Sequence, residues 1–191
     1  MVVDYYKKLL GVAGGIKDSD LREKTLDILK NPKLSNKKFG YKGITMKEAP
    51  ASLNWHHVEA GGLAKHTCVV ATLCLSIADV VEENYDMELD RDTLTAGAIL
   101  HDIAKLFDMK REERGFDSTD LSIDHIIMGS AELYARGFPE PVIHMVASHF
   151  GEQGTTSPQT VEALILHHAD TMSAVIGTSK AHRLMQLLGQ Q

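Results

Sequence analysis

Apolar residues along this chain recur three and four apart rather than in alternation, so the pattern reads as a succession of helices. A first helix over about residues 2–12 ends at Gly14-Gly15. A second is announced by Asp18-Ser19-Asp20, carries Leu21, Thr25, Ile28 and Leu29 on one face, and stops before Pro32. Residues 33–53 change character: Lys33, Lys37, Lys38, Lys42 and Lys47 alternate with Phe39, Tyr41 and glycines, the composition of a loop or short hairpin. Residues 54–67 lead through Gly61-Gly62 into a long apolar helix from Cys68 to about Glu83. After an acidic connection, Asp92 is the expected N-cap of a buried helix running through Phe107. A polar loop at 108–121 reads as a lid or rim. Helices follow at about 122–136, 139–149 and 158–175, with a short amphipathic one at 179–188. No period-2 run and no internal repeat is present, so the expected class is all-α. The expected divisions are 1–53 (N-terminal helices and lysine-rich loop), 54–176 (the main helical domain) and 177–191 (a helix packed on it).

Composition narrows the setting. At 191 residues, 43% apolar and 24% charged, the chain has the make-up of an ordinary globular domain. No apolar run suggests a membrane span and the N-terminus lacks a signal-peptide core, so a cytoplasmic location is expected. Cys68 and Cys74 read as reduced core residues. A formal charge of −6 argues against broad binding to nucleic acid or anionic membrane. Nothing in the sequence specifies an oligomeric state. The ten histidines are the unusual feature.

His101-Asp102 sits among Leu94, Ala98, Ile99, Leu100, Ile103 and Leu106, where an unpaired imidazole and carboxylate would be costly. Metal coordination satisfies both. His66, His125, His149 and Asp170 each fall on a separate predicted helix or helix end, so a bundle can point them into one central pocket. His66, His101, Asp102 and Asp170 would complete one metal shell. His125 and His149 would bind a second ion, with Asp102 as the bridge, giving two divalent ions per chain. Mn, Fe, Zn, Co and Ni all suit such a mixed shell.

These residues carry a resemblance. His66…His101-Asp102…Asp170 resembles the HD-domain superfamily of metal-dependent phosphohydrolases, which are all-helical. The flanking segments agree: His56-His57…Gly61-Gly62-Leu63…His66-Thr67, Ile99 to Lys105, Ser148-His149-Phe150-Gly151, and Glu162-Ala163…Leu166 to Asp170. They are especially similar to the HD domain of bacterial 3′-to-5′ exoribonucleases, over about residues 54–175. Two differences bear on an RNA substrate rather than on the chemistry. Phe150 stands where those enzymes carry a second His, and residues 1–53 lack the strand-rich pattern of their nucleic-acid-binding domain.

The resemblance implies a metal-dependent phosphohydrolase or phosphodiesterase that uses activated water. Its catalytic residues would be Asp102 and Lys105, the Lys105 ammonium also contacting the phosphate. His56 and His57 are candidates for substrate contact or proton donation, with a structural role as the rival. His167, one helical turn before Asp170, is placed to support a ligand from behind; His144, His168 and His182 read as ordinary. The expected substrate is a nucleotide, a cyclic nucleotide or an oligonucleotide 3′ end, the last with the 33–47 lysine loop as a strand contact. The alternatives are a pterin cyclic phosphate, as in archaeal HD phosphodiesterases, a mixed-valent di-iron oxygenase, and a non-catalytic HD scaffold.

Overall fold

The computed structural model describes residues 3–178. Its elements are α1 (Tyr5–Gly14), α2 (Ser19–Lys30), α3 (Gly62–Tyr85), α4 (Arg91–Leu100), α5 (Lys105–Asp108), β1 (Met109–Glu112), β2 (Gly115–Ser118), α6 (His125–Ala135), α7 (Glu140–Ser148), a 3₁₀ turn (Gly151–Gln153) and α8 (Val161–Ile176). The helix expected at 179–188 lies outside the described residues. The class is helical as expected, with one two-stranded hairpin as the exception.

Most helices begin where a short polar side chain accepts from an otherwise unpaired backbone N–H. Asp4 caps α1, Asp18 caps α2, Asp90 caps α4, Asp124 caps α6 and Thr160 caps α8. Each such cap stabilises by about 1 kcal/mol. Asp92 is not the cap of α4. Its carboxylate instead accepts from the backbone N–H of Lys17 (2.9 Å) and Asp18 (2.7 Å), tying the α1–α2 turn to the start of α4. Asp124 also explains why α6 starts later than its apolar pattern implied.

The buried helix expected through Phe107 breaks at Leu100. Residues 101–104 form a turn, in which the backbone N–H groups of Ile103 and Lys105 reach only three residues back, to Leu100 and Asp102. The four-residue α5 then resumes. The polar stretch after it is a hairpin rather than a loop. β1 and β2 pair antiparallel with Met109 opposite Ser118 and Glu112 opposite Gly115. Only Met109 of this hairpin is buried, so no alternation was visible.

The core is continuous from the N-terminal helices to α8. Leu9, Ile16 and Leu29 share it with Leu63, Val70, Leu94, Ile99, Met145 and Leu166. α3 lies centrally against α1, α4 and α8, and α7 packs between α4 and α6. At Gly97 the α4 backbone meets Met145 so closely that an added Cβ would lie 2.5 Å from its Sδ. α3 is long and apolar enough to cross a membrane by length and composition, contrary to expectation from the sequence. In this fold it is a core helix, and Cys68 and Cys74 on it are free and buried.

Candidate metal centre

Five segments converge at the middle of the bundle. His66 comes from the second turn of α3, His101 and Asp102 from the turn after α4, and His125 from the first position of α6. His149 follows α7 directly, and Asp170 lies in α8. The broken helix matters here. The break ends α4 at Leu100, so that His101 and Asp102 stand in the turn that leads into the cluster.

The contacts form two halves joined by one carboxylate. Asp102 Oδ2 lies 3.4 Å from His101 Nε2 and 3.5 Å from His66 Nε2. His66 Nε2 is also 3.0 Å from Asp170 Oδ1, with His101 Nε2 3.7 Å from the same oxygen. On the other side, Asp102 Oδ1 lies 3.4 Å from His125 Nε2 and 3.8 Å from His149 Nε2. All six side chains expected as ligands are therefore brought together.

The hydrogen bonding tests whether a cation fits. His101 Nδ1 is 2.8 Å from the Ala98 carbonyl and His149 Nδ1 is 2.7 Å from that of Val146. A carbonyl only accepts, so each Nδ1 carries the proton, and in its neutral form each ring turns the Nε2 lone pair inward. His66 and His101 then bring their Nε2 atoms within 3.3 Å of one another, a repulsive pairing unless a proton or a cation lies between them. In the other half, Asp102 Oδ1, His125 Nε2 and His149 Nε2 are buried and have no protein partner. Unsatisfied buried polar atoms of this kind are rare, and a shared cation satisfies all three. The residues fit a metal.

The titration behaviour agrees. Burial would raise the Asp102 carboxyl, but the Lys105 ammonium and His101 hold it well below the usual carboxylate range. Asp170, raised by burial, is brought down to about 2 mainly by its hydrogen bond with His66. Burial lowers His149 to about 4, keeping a neutral donor. His101 is opposed by burial yet held above its ordinary value by Asp102 and Asp170.

The remaining expected site residues divide. Lys105 lines the cleft beside the cluster and donates to Asp102 Oδ2 at 2.8 Å, so its ammonium is held by a candidate ligand. His56 forms part of the cleft wall, its ring 4.8 Å from that of His66. His57 sits behind it, with the two Nδ1 atoms 3.2 Å apart. Both rings are buried, and burial lowers them to about 3 and about 4. His57 adopts φ 44°, an uncommon conformation for a side-chain-bearing residue. It is clamped by two glycines: a Cβ on Gly62 would meet the His57 carbonyl oxygen, and one on Gly177 would meet its ring, each at 1.9 Å. Such over-determined strain collects at functional positions. His167 does not support Asp170; its Nδ1 donates to the His149 carbonyl at 2.8 Å.

Two residues at the site escaped sequence reasoning. Ser173 Oγ lies 3.0 Å from His66 Nδ1 and so orients that ring. Its position one turn after Asp170 was the available signal. Asp108 lines the cleft with a buried, unpartnered Oδ1, and burial pushes its carboxyl up to about 6 against the pull of His125 and Lys105.

A cleft of about 1000 Å³ opens over this cluster, bounded by residues 51–56, the hairpin, the approach to α6 and one face of α8. That is the size of a small-molecule site. The family model of the HD domain matches residues 63–175 of the chain. The chain belongs to the HD domain family. This HD protein is 46% identical over 172 residues to the dihydroneopterin 2′,3′-cyclic phosphate phosphodiesterase of Methanocaldococcus jannaschii, covering 89% of its own length and 69% of that enzyme. It is 33% identical over 170 residues to the 3′-5′ exoribonuclease YhaM of Bacillus licheniformis, covering 78% of itself and 50% of the relative. For YhaM of Bacillus subtilis the values are 34% over 141 residues, 65% and 42%. The chain thus spans half or less of these exoribonucleases. No solved structure gives a significant match. The resemblance read from the five segments is borne out. HD domains bind divalent metals, and the buried His/Asp cluster has the donors for them.

Proposed function

We propose that this HD protein is a metal-dependent phosphodiesterase that opens a cyclic phosphodiester on a small nucleotide- or pterin-sized molecule. The observation that carries the reading is the convergence of six donor side chains on one centre, with three of their buried inward atoms lacking a hydrogen-bond partner. His66, His101, Asp102 and Asp170 would hold one divalent ion, and Asp102, His125 and His149 a second. Bound there, the ions supply Lewis acidity and a water activated near neutral pH. In the balanced reaction, water oxygen joins phosphorus, one phosphorus–oxygen ester bond breaks, and the released oxygen takes a proton.

The chain's own part is placement and charge. Asp102 joins the two halves and is kept ionised by Lys105 and His101. Lys105, 13% exposed in its side chain at the cleft edge, supplies a positive charge for the phosphoryl oxygens. His101 and His149 are locked in one tautomer by the Ala98 and Val146 carbonyls, so neither ligand has to reorganise. His56 bounds the cleft beside His66 and is held by His57.

A small cyclic substrate is favoured over an RNA 3′ end by the 46% identity to an enzyme named for such a substrate, and by the net charge of −6. We place the enzyme in the cytoplasm. The test is reconstitution with Mn²⁺, Fe²⁺, Zn²⁺, Co²⁺ or Ni²⁺. Hydrolysis is then measured on 2′,3′-cyclic nucleotides, dihydroneopterin 2′,3′-cyclic phosphate, bis-p-nitrophenyl phosphate and single-stranded RNA. Turnover of the cyclic phosphates is expected; none with any metal at full occupancy would overturn the reading. Preference for RNA, with affinity falling steeply in salt, would replace the small substrate by a strand end.

A further inference from the structure

Two aromatic side chains in the cleft take no part in the chemistry described so far. Trp55 is 46% exposed and Phe150 37% exposed, and both line the cleft. Large aromatic surface left open inside a concave site is a recognition surface. Neither ring is loose. Trp55 stands edge-on to His56, with centroids 4.7 Å apart and planes at 87°, and its backbone N–H donates to Ser52 Oγ at 2.9 Å. Phe150 is wedged against His149 (4.7 Å, 70°) and His125 (5.4 Å, 70°).

These contacts hold both rings against the donor cluster, and both face the same cleft. Trp55 abuts it through His56, next to His66, where Asp102 presents Oδ2. Phe150 abuts it at His125 and His149, where Asp102 presents Oδ1. A group seated on either ring therefore has its phosphoester within the same cleft as the cluster. We propose that Trp55 and Phe150 form a ring-binding subsite that selects phosphoesters bearing a planar heteroaromatic group; the proposal rests on the phosphodiesterase reading above.

The surroundings distinguish that occupant from others. Edge-packed aromatics held on one side offer flat faces for stacking, and every base or pterin has a π-face to give. Ser118, Ser122, Gln153 and Thr171 also line the cleft and offer donors and acceptors to ring heteroatoms, which an aliphatic chain cannot use. The carboxylates of Asp108 and Asp124 at the same rim disfavour a run of phosphates. One ring with one phosphate suits this lining better than a strand does.

Trp55 is the sole tryptophan, so its fluorescence reports the subsite with or without turnover. The metal-loaded protein is titrated with guanosine 2′,3′-cyclic phosphate and with ring-free glycerol 1,2-cyclic phosphate, exciting at the red edge of tryptophan absorption. Saturable quenching by the guanosine compound alone is expected. Phe150→Ala should weaken that binding by about tenfold or more, and Phe150→Tyr should restore it. Where Phe150→Ala loses metal by elemental analysis, Phe150→Leu, which keeps bulk without a flat face, takes its place. In turnover, the ratio of kcat/KM for the ring-bearing over the ring-free ester should fall in Trp55→Ala as well, chiefly through KM. Equal responses to both ligands, or quenching by neither, overturn the subsite. Ring-selective quenching in a fully metallated protein that hydrolyses nothing keeps the subsite and removes the phosphodiesterase reading instead.

Discussion

Replacing Asp102 by Asn probes the join between the two halves of the cluster. Its side chain is 2% exposed, and its two oxygens face different partners, Oδ2 toward His66, His101 and Lys105 and Oδ1 toward His125 and His149. The amide keeps the volume, so the metal-free fold should survive. It removes the charge and points an N–H₂ group at imidazole lone pairs in one half or the other, so both ions lose affinity. An ion present at a hundred times its Kd stabilises the folded state by about 2.7 kcal/mol, and two ions by about 5 kcal/mol. For 191 residues the unfolding entropy is about 0.4 kcal/mol/K, so metal should raise the wild-type Tm by about 13 °C. In Asp102→Asn the rise should shrink to about a third of that or less. The assay is thermal unfolding with chelator and with Mn²⁺, paired with elemental analysis of the dialysed protein. An Asn variant that keeps two ions and the full metal-dependent rise would refute the bridging role. So would a wild type that saturates at one ion.

Further outcomes follow from neighbouring contacts. Ser173→Ala deprives His66 Nδ1 of its 3.0 Å partner and should weaken metal binding by about 10- to 100-fold, read by chelator competition, with Tm in chelator almost unchanged. Gly177→Ala puts a Cβ into the His57 ring and should cost about 1–3 kcal/mol, a Tm loss of several degrees accompanied by reduced turnover. The metal-free protein should lose stability as pH falls from 6.5 to about 4, because His149 is held neutral by burial while its unfolded counterpart takes up a proton. That single group amounts to about 3 kcal/mol at its full shift, and His149→Gln should flatten the fall in a urea-unfolding series against pH. Asp108 has the opposite sign. Its folded carboxyl, up at about 6, binds more protons than the unfolded one, so it returns stability as pH drops from about 6 to 3.8. Asp108→Asn should therefore steepen the acid-side loss; an unchanged slope would count against the burial of that carboxyl.

How much of this could be read from the chain follows from where each piece of information lies. His101-Asp102 was legible because a polar pair inside an apolar helical run is locally anomalous. His66, His125, His149 and Asp170 were legible because each falls on a separate predicted helix or helix end in text that matches the family. What the pattern could not reveal was local competition between equivalent signals. Asp90 and Asp92 are both acceptable caps, and the choice fell to Asp90 because Asp92 is engaged by the Lys17 and Asp18 amides of a distant turn. The helix break at Leu100 was invisible because apolar residues continue on both sides of it. The β1–β2 hairpin is exposed at all but Met109 and Phe116, and its polar and charged residues show no alternation. Ser173 and Asp108 are ordinary residues until the fold sets one behind His66 and leaves the other without a partner.

The wall that carries His56 is closed by strands of chain from far-apart parts of the sequence. The His57 amide donates to the Gly177 carbonyl at 3.3 Å, and His56 makes a β-bridge with Thr178. Bringing such distant segments together is an entropic expense that only a largely assembled bundle can meet. The helices, with their local bonds, have no such requirement. Folding of this protein therefore has an order built into it. The donors on α3, α6 and α8 and at the ends of α4 and α7 can be gathered by helix packing, while the cleft becomes a defined enclosure only when the end of α8 returns to latch residue 57. Any event that loosens that latch would leave the cluster standing in a bundle without a wall.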